Sequence, residues 1–252
     1  MKRFIRSTLA VLTFFGACAG AHADPVRIAV EGAYPPFNYV DSSNQLHGFD
    51  VDIANALCSK MKSDCKLVAQ DWDGMIPGLM AKKYDAIVSS MVVTKEREEK
   101  ISFTNRYYRT RLAISVPQNS KLANTNPQSF KGLVVGAQSS TTQGNYAQDV
   151  LAAAGATVKL YPAQDDANLD LAAGRLDAVV NDKFPNLDWL AKDGKGCCKL
   201  LGEVTGKDDD VAIAVRKNDN GLRERLNKAI AEIIADGTYQ RITSQYFKSS
   251  IY

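Results

Sequence analysis

The chain has little of what commits a protein to metal or nucleotide chemistry. Among 252 residues there are two histidines, His22 and His47. That is too thin a ligand set for a zinc-type site, so neither metal nor cofactor is expected. There is no P-loop and no G-x-G-x-x-G, which removes the usual backbone cradles for phosphate. Beyond the N-terminus no apolar run approaches the roughly 20 residues of a membrane-spanning helix. An excess of charge is missing too. Residues 1–23 read as a secretory signal peptide, with Lys2, Arg3 and Arg6, an apolar Leu9–Ala19 segment and an Ala21-His-Ala23 cleavage site. Without these 23 residues Lys+Arg falls from 31 to 28, against 28 Asp+Glu. The formal charge is then about zero, and a nucleic-acid partner or acidic membrane finds no support in it.

Cysteine is scarce but placed. Cys18 follows Phe15-Gly-Ala, a poor lipid-attachment box because its first position is aromatic, so lipid anchoring is not expected. Cys58 and Cys65 flank the end of an expected helix. In an oxidising compartment they suit a disulfide. Cys197 and Cys198 are adjacent and fit either a vicinal disulfide or two thiols.

The remaining 229 residues, 252 less 23, suffice for two lobes of ordinary size. Val26–Val30 alternates like a strand and feeds a Gly/Pro loop, Glu31-Gly-Ala-Tyr-Pro-Pro-Phe37. Gly48-Phe-Asp-Val-Asp-Ile53 opens a helix with Val51, Ala54, Leu57, Cys58 and Met61 on one face and Asp50 near its N-cap. Strands follow at Lys66–Ala69 and Asp85–Val88. Leu112–Val116 resumes the alternation and is expected to carry the chain into a second lobe. There Lys131–Ala137 ends in the hydroxyl-rich Gln138–Gln143 loop. Asp210–Val215 is the return strand, and Leu222, Leu226, Ile230 and Ile234 form one stripe of a late helix. The expected division is lobe 1 over 24–112 and 210–252, and lobe 2 over 113–209.

One internal repeat orders these elements. Leu79-Met-Ala-Lys-Lys-Tyr-Asp-Ala-Ile-Val88 aligns with Leu171-Ala-Ala-Gly-Arg-Leu-Asp-Ala-Val-Val180. Each copy follows strand, loop, helix and strand, so the lobes read as βα units of similar build with mostly parallel sheets. Ligands of such sheets collect beyond the carboxyl ends of the strands. One copy ends in Ser89 and Ser90 with Arg97 nearby; the other ends in Asp182. Arg97 with Ser90 and Thr142 suits a carboxylate, although an arginine between Glu96 and Glu98 also suits a solvated helix face. Asp182 suits an ammonium, or else a helix N-cap before Lys183. Glu31 is placed for a cationic side chain, and Tyr34 with Trp72 could sandwich an aliphatic or cationic chain. A molecule with both charges at short range is an amino acid.

Gly48-Phe-Asp-Val-Asp-Ile53, followed by Leu57-Cys58 and Met61, resembles the signature of bacterial extracellular solute-binding proteins of the polar amino-acid class, family 3. The likeness is closest to lysine/arginine/ornithine- and histidine-binding proteins, the Cys58–Cys65 pair included. Glu31–Phe37 and Asp71-Trp-Asp-Gly74 also resemble opine-binding members. The resemblance implies an α/β periplasmic-binding-protein (Venus flytrap) fold with two crossing hinge strands, closing on its ligand by hinge motion. It implies the substrate-binding part of an ABC importer: a periplasmic monomer that meets a cationic amino acid and an inner-membrane permease, without catalysis. It assigns Ser89 a carbonyl role beside Glu31, and places Gln138, Thr141 and Gln143 in the second lobe's lining. Val92 stands where the family usually has Ser or Thr; the lost hydroxyl bond should weaken binding by about 1 kcal/mol. The competing readings are an opine receptor, a dehydratase-like enzyme using Glu31 or Asp182 as proton donor, and a sensor ectodomain.

Overall fold

The computed structural model describes residues 24–252 other than 205 and 207. The expected signal peptide, with Cys18, lies outside the described residues. No helix among the described residues is long and apolar enough to cross a membrane.

Two five-stranded sheets carry the fold. In the first, Cys65–Ala69, Val26–Val30 and Ala86–Ile87 run parallel, then Asp209–Arg216 runs against them, and Ile101–Thr110 closes the edge. In the second, Thr157–Tyr161, Val134–Gln138 and Ala178–Asp182 run parallel, then Leu112–Pro117 runs against them, and Cys198–Glu203 closes the edge. Four strands of each sheet therefore point one way and the fourth in order points back. The reversed strand is the incoming chain of its lobe. Chain crossings occur between Thr110 and Leu112 and between Glu203 and Asp209. Leu112 pairs with Asp182 in the second sheet, and Asp209 with Thr110 in the first. Arg111 stands at both crossings, 2.8 Å from Asp208 and 3.7 Å from Glu203.

The sequence repeat has a structural counterpart. Ala86–Ile87 and Ala178–Asp182 are the central strands of their sheets. The aspartate that opens each copy makes the same pair of bonds. Asp85 Oδ2 accepts from the Arg27 N–H at 3.0 Å, and the Asp85 N–H donates to the Arg27 carbonyl. Asp177 Oδ2 accepts from the Val134 N–H at 2.8 Å, and the Asp177 N–H donates to the Val134 carbonyl. A carboxylate thus replaces a ladder carbonyl where each central strand begins, and fixes its register against the neighbouring strand.

Around the first sheet the local chemistry is legible. Phe49–Met61 is a helix whose first N–H groups lack intrahelical partners; Phe49 donates to the Pro36 carbonyl and Asp50 to the Phe37 carbonyl at 2.7 Å. Gly48 lies between these contacts at φ 116°, where a Cβ would come within 2.4 Å of the Phe37 carbonyl. Only glycine fits there. Phe37 and Phe49 then centre an aromatic core with Tyr107, Tyr108, Tyr239 and Phe247. The late helix Asn220–Ala235 packs on Phe49–Met61, but its stripe is Leu222, Leu226, Ile230 and Ile233, with Ile234 turned outward. At 100° per residue, Ile234 has drifted about 120° from Leu222 while Ile233 has drifted only about 20°.

Cys58 and Cys65 form a disulfide joining the end of helix Phe49–Met61 to the strand Cys65–Ala69 that follows it. Cys197 and Cys198 are thiols with sulfurs 2.8 Å apart. Replacing both Cys58 and Cys65 by serine should remove about 2–3 kcal/mol of stability and lower Tm by about 5–10 °C. Scanning calorimetry without reductant checks this, and an unchanged Tm would show that the bond adds nothing.

Candidate functional site

The carboxyl ends of both sheets face one small cavity. The first lobe contributes Glu31, Tyr34 and Trp72 from its early loops, and Ser89, Ser90, Val92 and Arg97 from the stretch after its central strand. The second lobe contributes Gln138, Thr141, Thr142 and Gln143 from one strand–helix junction, and Asp182 from the end of its central strand. Every residue expected at a site from the sequence is on this wall. Trp72, Arg97 and Thr142 also border a wider cleft running out past Met80 and Lys100.

Asp182 sits at the N-cap of helix Lys183–Ala191, yet its side chain makes no capping bond. The carboxylate turns to the cavity instead. Its Oδ2 accepts from the Tyr34 hydroxyl at 2.7 Å and from Gln143 Nε2 at 3.2 Å, while Oδ1 is buried without a partner. Burial pushes its pKa up to about 7. Glu31 is likewise driven to about 7 by burial, against the opposing bond from Gln138 Nε2 at 2.5 Å. A shift of that size disfavours each negative charge by roughly 4 kcal/mol. Two acids that want a cation therefore face one space.

Arg97 is the opposite case. Its helix, Lys95–Lys100, is capped by Thr94, and its side chain turns inward rather than to Glu96 or Glu98. Nη1 donates to the Val92 carbonyl at 2.8 Å and Nη2 to the Ser140 carbonyl at 3.1 Å, and the guanidinium lies 5.3 Å over the Trp72 ring. Burial lowers its pKa to about 10, so it stays charged. Two carbonyls do not neutralise a buried guanidinium, and an anion would.

Other expected residues hold the wall in shape. Ser89 Oγ accepts from the Glu31 N–H at 2.9 Å. Thr141 caps helix Thr142–Tyr146 and donates to the Gln138 carbonyl. Thr142 donates to Gln143 Oε1 at 3.0 Å. Tyr34 packs its ring on Phe37 and gives its hydroxyl to Asp182. Ser90 lines the cavity, but its hydroxyl donates to Asp50 at 2.9 Å, which leaves it no hydrogen for an anion. Its expected part as a carboxylate donor gives way to a structural one.

The lobes are bonded across the cleft. Trp72 Nε1 and Arg97 Nη2 share the Ser140 carbonyl, Gln138 meets Glu31, Tyr34 meets Asp182, and Ser139 meets Asp73. Sequence reasoning passed over Ser140, whose role is a carbonyl at φ 56°, and Asn181, the aligned partner of Ser89, whose buried Nδ2 has no partner. It also read Asp50 as a helix-start residue when its side chain is fully buried. Among the described residues no group of three or more His, Cys, Asp or Glu could hold a metal.

Residues 26–249 match the model of the bacterial extracellular solute-binding proteins, family 3. An L-arginine-binding protein of Pseudomonas aeruginosa is 43% identical over 90% of each chain. The histidine-binding periplasmic protein of Escherichia coli K12 is 37% identical over 100% of this chain and 99% of its own. A solved structure of an ancestral arginine-binding protein bound to arginine is similar with a TM-score of 0.85 at 32% identity, over 90% of this chain and 99% of that one. Likeness of this extent, in sequence and in fold together, places the chain in a family: it is one of the bacterial extracellular solute-binding proteins of family 3.

Proposed function

We propose that the protein is the periplasmic receptor of an ABC importer, binding a cationic L-amino acid of the lysine, arginine, ornithine or histidine type and presenting it to an inner-membrane permease. It acts as a monomer and a binder, with no reaction on the ligand. The carrying observation is the Asp182 carboxylate, buried with one partnerless oxygen, in the same cavity as a buried arginine and a second, half-buried acid. The α-ammonium takes Asp182 Oδ1 while Tyr34 and Gln143 keep Oδ2. The α-carboxylate lies on Arg97 with the Val92 N–H beside it, and the Thr142 hydroxyl joins them by turning from the amide oxygen Gln143 Oε1 that it meets at 3.0 Å. The side-chain cation meets Glu31, aided by the Ser89 carbonyl and Gln138, and Tyr34, Trp72, Thr141 and Gln143 enclose the rest. Because the charges that receive the ligand come from both lobes, binding favours the closed arrangement over any open one. The leader of residues 1–23 would deliver the chain to the periplasm.

Calorimetric titration of ligand-stripped protein tests the ligand class. Arginine or lysine should bind at least tenfold tighter than glutamine. Glu31→Gln should weaken the cationic ligands by about tenfold or more and change glutamine by less than threefold, about 1.4 kcal/mol against a few tenths. Equal binding of neutral amino acids, with no effect of the substitution, would overturn the cation assignment. Arg97→Ala should weaken every α-amino acid by 100-fold or more, on the order of 3 kcal/mol, since the α-carboxylate is common to all.

The acids also set a pH dependence. Glu31 and Asp182, raised to about 7, bind protons in the unliganded protein that a bound cation displaces. Affinity should therefore rise from pH 5.5 to 7.5 by at least about tenfold, then level off, with protons released on binding near pH 6.5. Stability of the unliganded protein runs the other way. Its folded form holds more protons than the unfolded chain between about pH 4 and 7, so these two acids make it less stable as pH rises through that window. Titrations in buffers of different ionisation enthalpy and pH-resolved melting check both signs. A flat affinity profile would mean the acids do not face the ligand's cations.

A further inference from the structure

We propose that Asp50 is a positioning residue for the cavity, holding both of the first lobe's charge receptors in place from beneath. The proposal rests on the binding function above. Asp50 lies in the first turn of helix Phe49–Met61 and touches no part of the cavity. Its carboxylate is fully buried and, among the described residues, has no ion pair. Three neutral donors converge on it. Tyr107 Oη gives Oδ1 a bond of 2.7 Å, and Ser90 Oγ and Asn38 Nδ2 give Oδ2 bonds of 2.9 and 2.8 Å. Such a meeting point needs a group that only accepts, which an ionised carboxylate is and an amide is not.

Two routes lead from Asp50 to the ligand. The first passes through Ser90. Both of its donors are held by the same pair: the hydroxyl by Asp50, and the backbone N–H by Tyr107 Oη at 3.1 Å. Ser90 sits at φ 52°, a left-handed conformation that a non-glycine residue adopts only when its surroundings impose it. Two residues on, the Val92 carbonyl receives Arg97 Nη1. The turn that Asp50 fixes thus aims the carbonyl that aims the guanidinium. The second route passes through Asn38. Its Nδ2 is on Asp50, and its Oδ1 accepts from the Gly32 N–H at 2.8 Å, the residue after Glu31. One buried carboxylate therefore ties the receptor of the ligand's anion to the receptor of its distal cation.

Asp50→Asn keeps the shape and turns a donor into the meeting point. Bound arginine or lysine, measured by calorimetry on folded protein well below Tm, should be held about tenfold or more weakly. In a Ser90→Ala background the same substitution should weaken binding at least threefold less than in the wild type, because part of its route is gone. Tyr107→Phe leaves the aromatic core and removes one hydroxyl. It should weaken binding about threefold or more, and carries the test if the Asn variant does not fold. A fall in Tm with unchanged Kd in the variants would overturn the proposal and leave Asp50 merely structural. A full effect of Asp50→Asn with Ser90 already removed would overturn the Ser90 route. If wild type binds no amino acid, the functional reading fails along with this one; if wild type binds and the variants bind equally, only this one fails.

Discussion

A carboxylate kept from water without a cation is an unstable arrangement, and the rest of the molecule depends on how that instability is placed. Asp182 stands in this condition and half-buried Glu31 shares it in part, and both hold protons more tightly than an exposed acid does. Arg97, buried nearby on two carbonyls, has the converse deficit. Protein interiors ordinarily resolve such deficits by pairing the charges with each other. Here the fold distributes them so that a third party of the right shape resolves all of them together. On the proposed function, the charges that select the ligand are also those that hold it, so specificity and affinity would share one source.

That distribution requires two walls. Each sheet presents the ends of its parallel strands to the cleft, and each wall alone carries an incomplete set: the guanidinium and Glu31 on one, Asp182 on the other. Contacts across the cleft gather on few atoms, with the Ser140 carbonyl serving both Trp72 and Arg97. The same indole and guanidinium that face the cavity are thus part of the seam between the lobes. On the proposed function, the side chains that receive the ligand are also ones that bridge the lobes, so occupancy and closure would be coupled directly.

Much of this was legible in the chain. The repeated Asp-Ala-Ile/Val-Val segments marked the central strand of each sheet, and the polar residues after them marked the cavity wall. Period-two apolar runs with β-branched residues report their environment locally, so strands and their ends are readable. Asp182 was also readable as a candidate, but not its orientation; whether it caps its helix or faces a ligand is decided by tertiary packing. Ser90 shows the limit more sharply. A serine at a strand end looks like a donor to an anion, and only the buried neighbour 40 positions away reveals that its hydrogen is already given. Asp50 was hidden for the same reason: an acid at a helix start has a local explanation that conceals a distant one. The sheet order and the outward Ile234 likewise depend on partners that the sequence does not write side by side.

The paired aspartates at the start of each central strand have a further consequence. Asp85 and Asp177 lock their strands to the neighbouring strand at the same depth, so residues four and five positions later emerge at equivalent points on the two rims. Ser89 and Ser90 on one side correspond to Asn181 and Asp182 on the other. The frame acts as a pair of matched sockets, in which register is set at the base and chemistry at the tip. On the proposed function, exchanging what the tips carry would rewrite the charge pattern of the recognised molecule while the sheets beneath keep their alignment. A scaffold of this kind can change its customer without relearning how to fold.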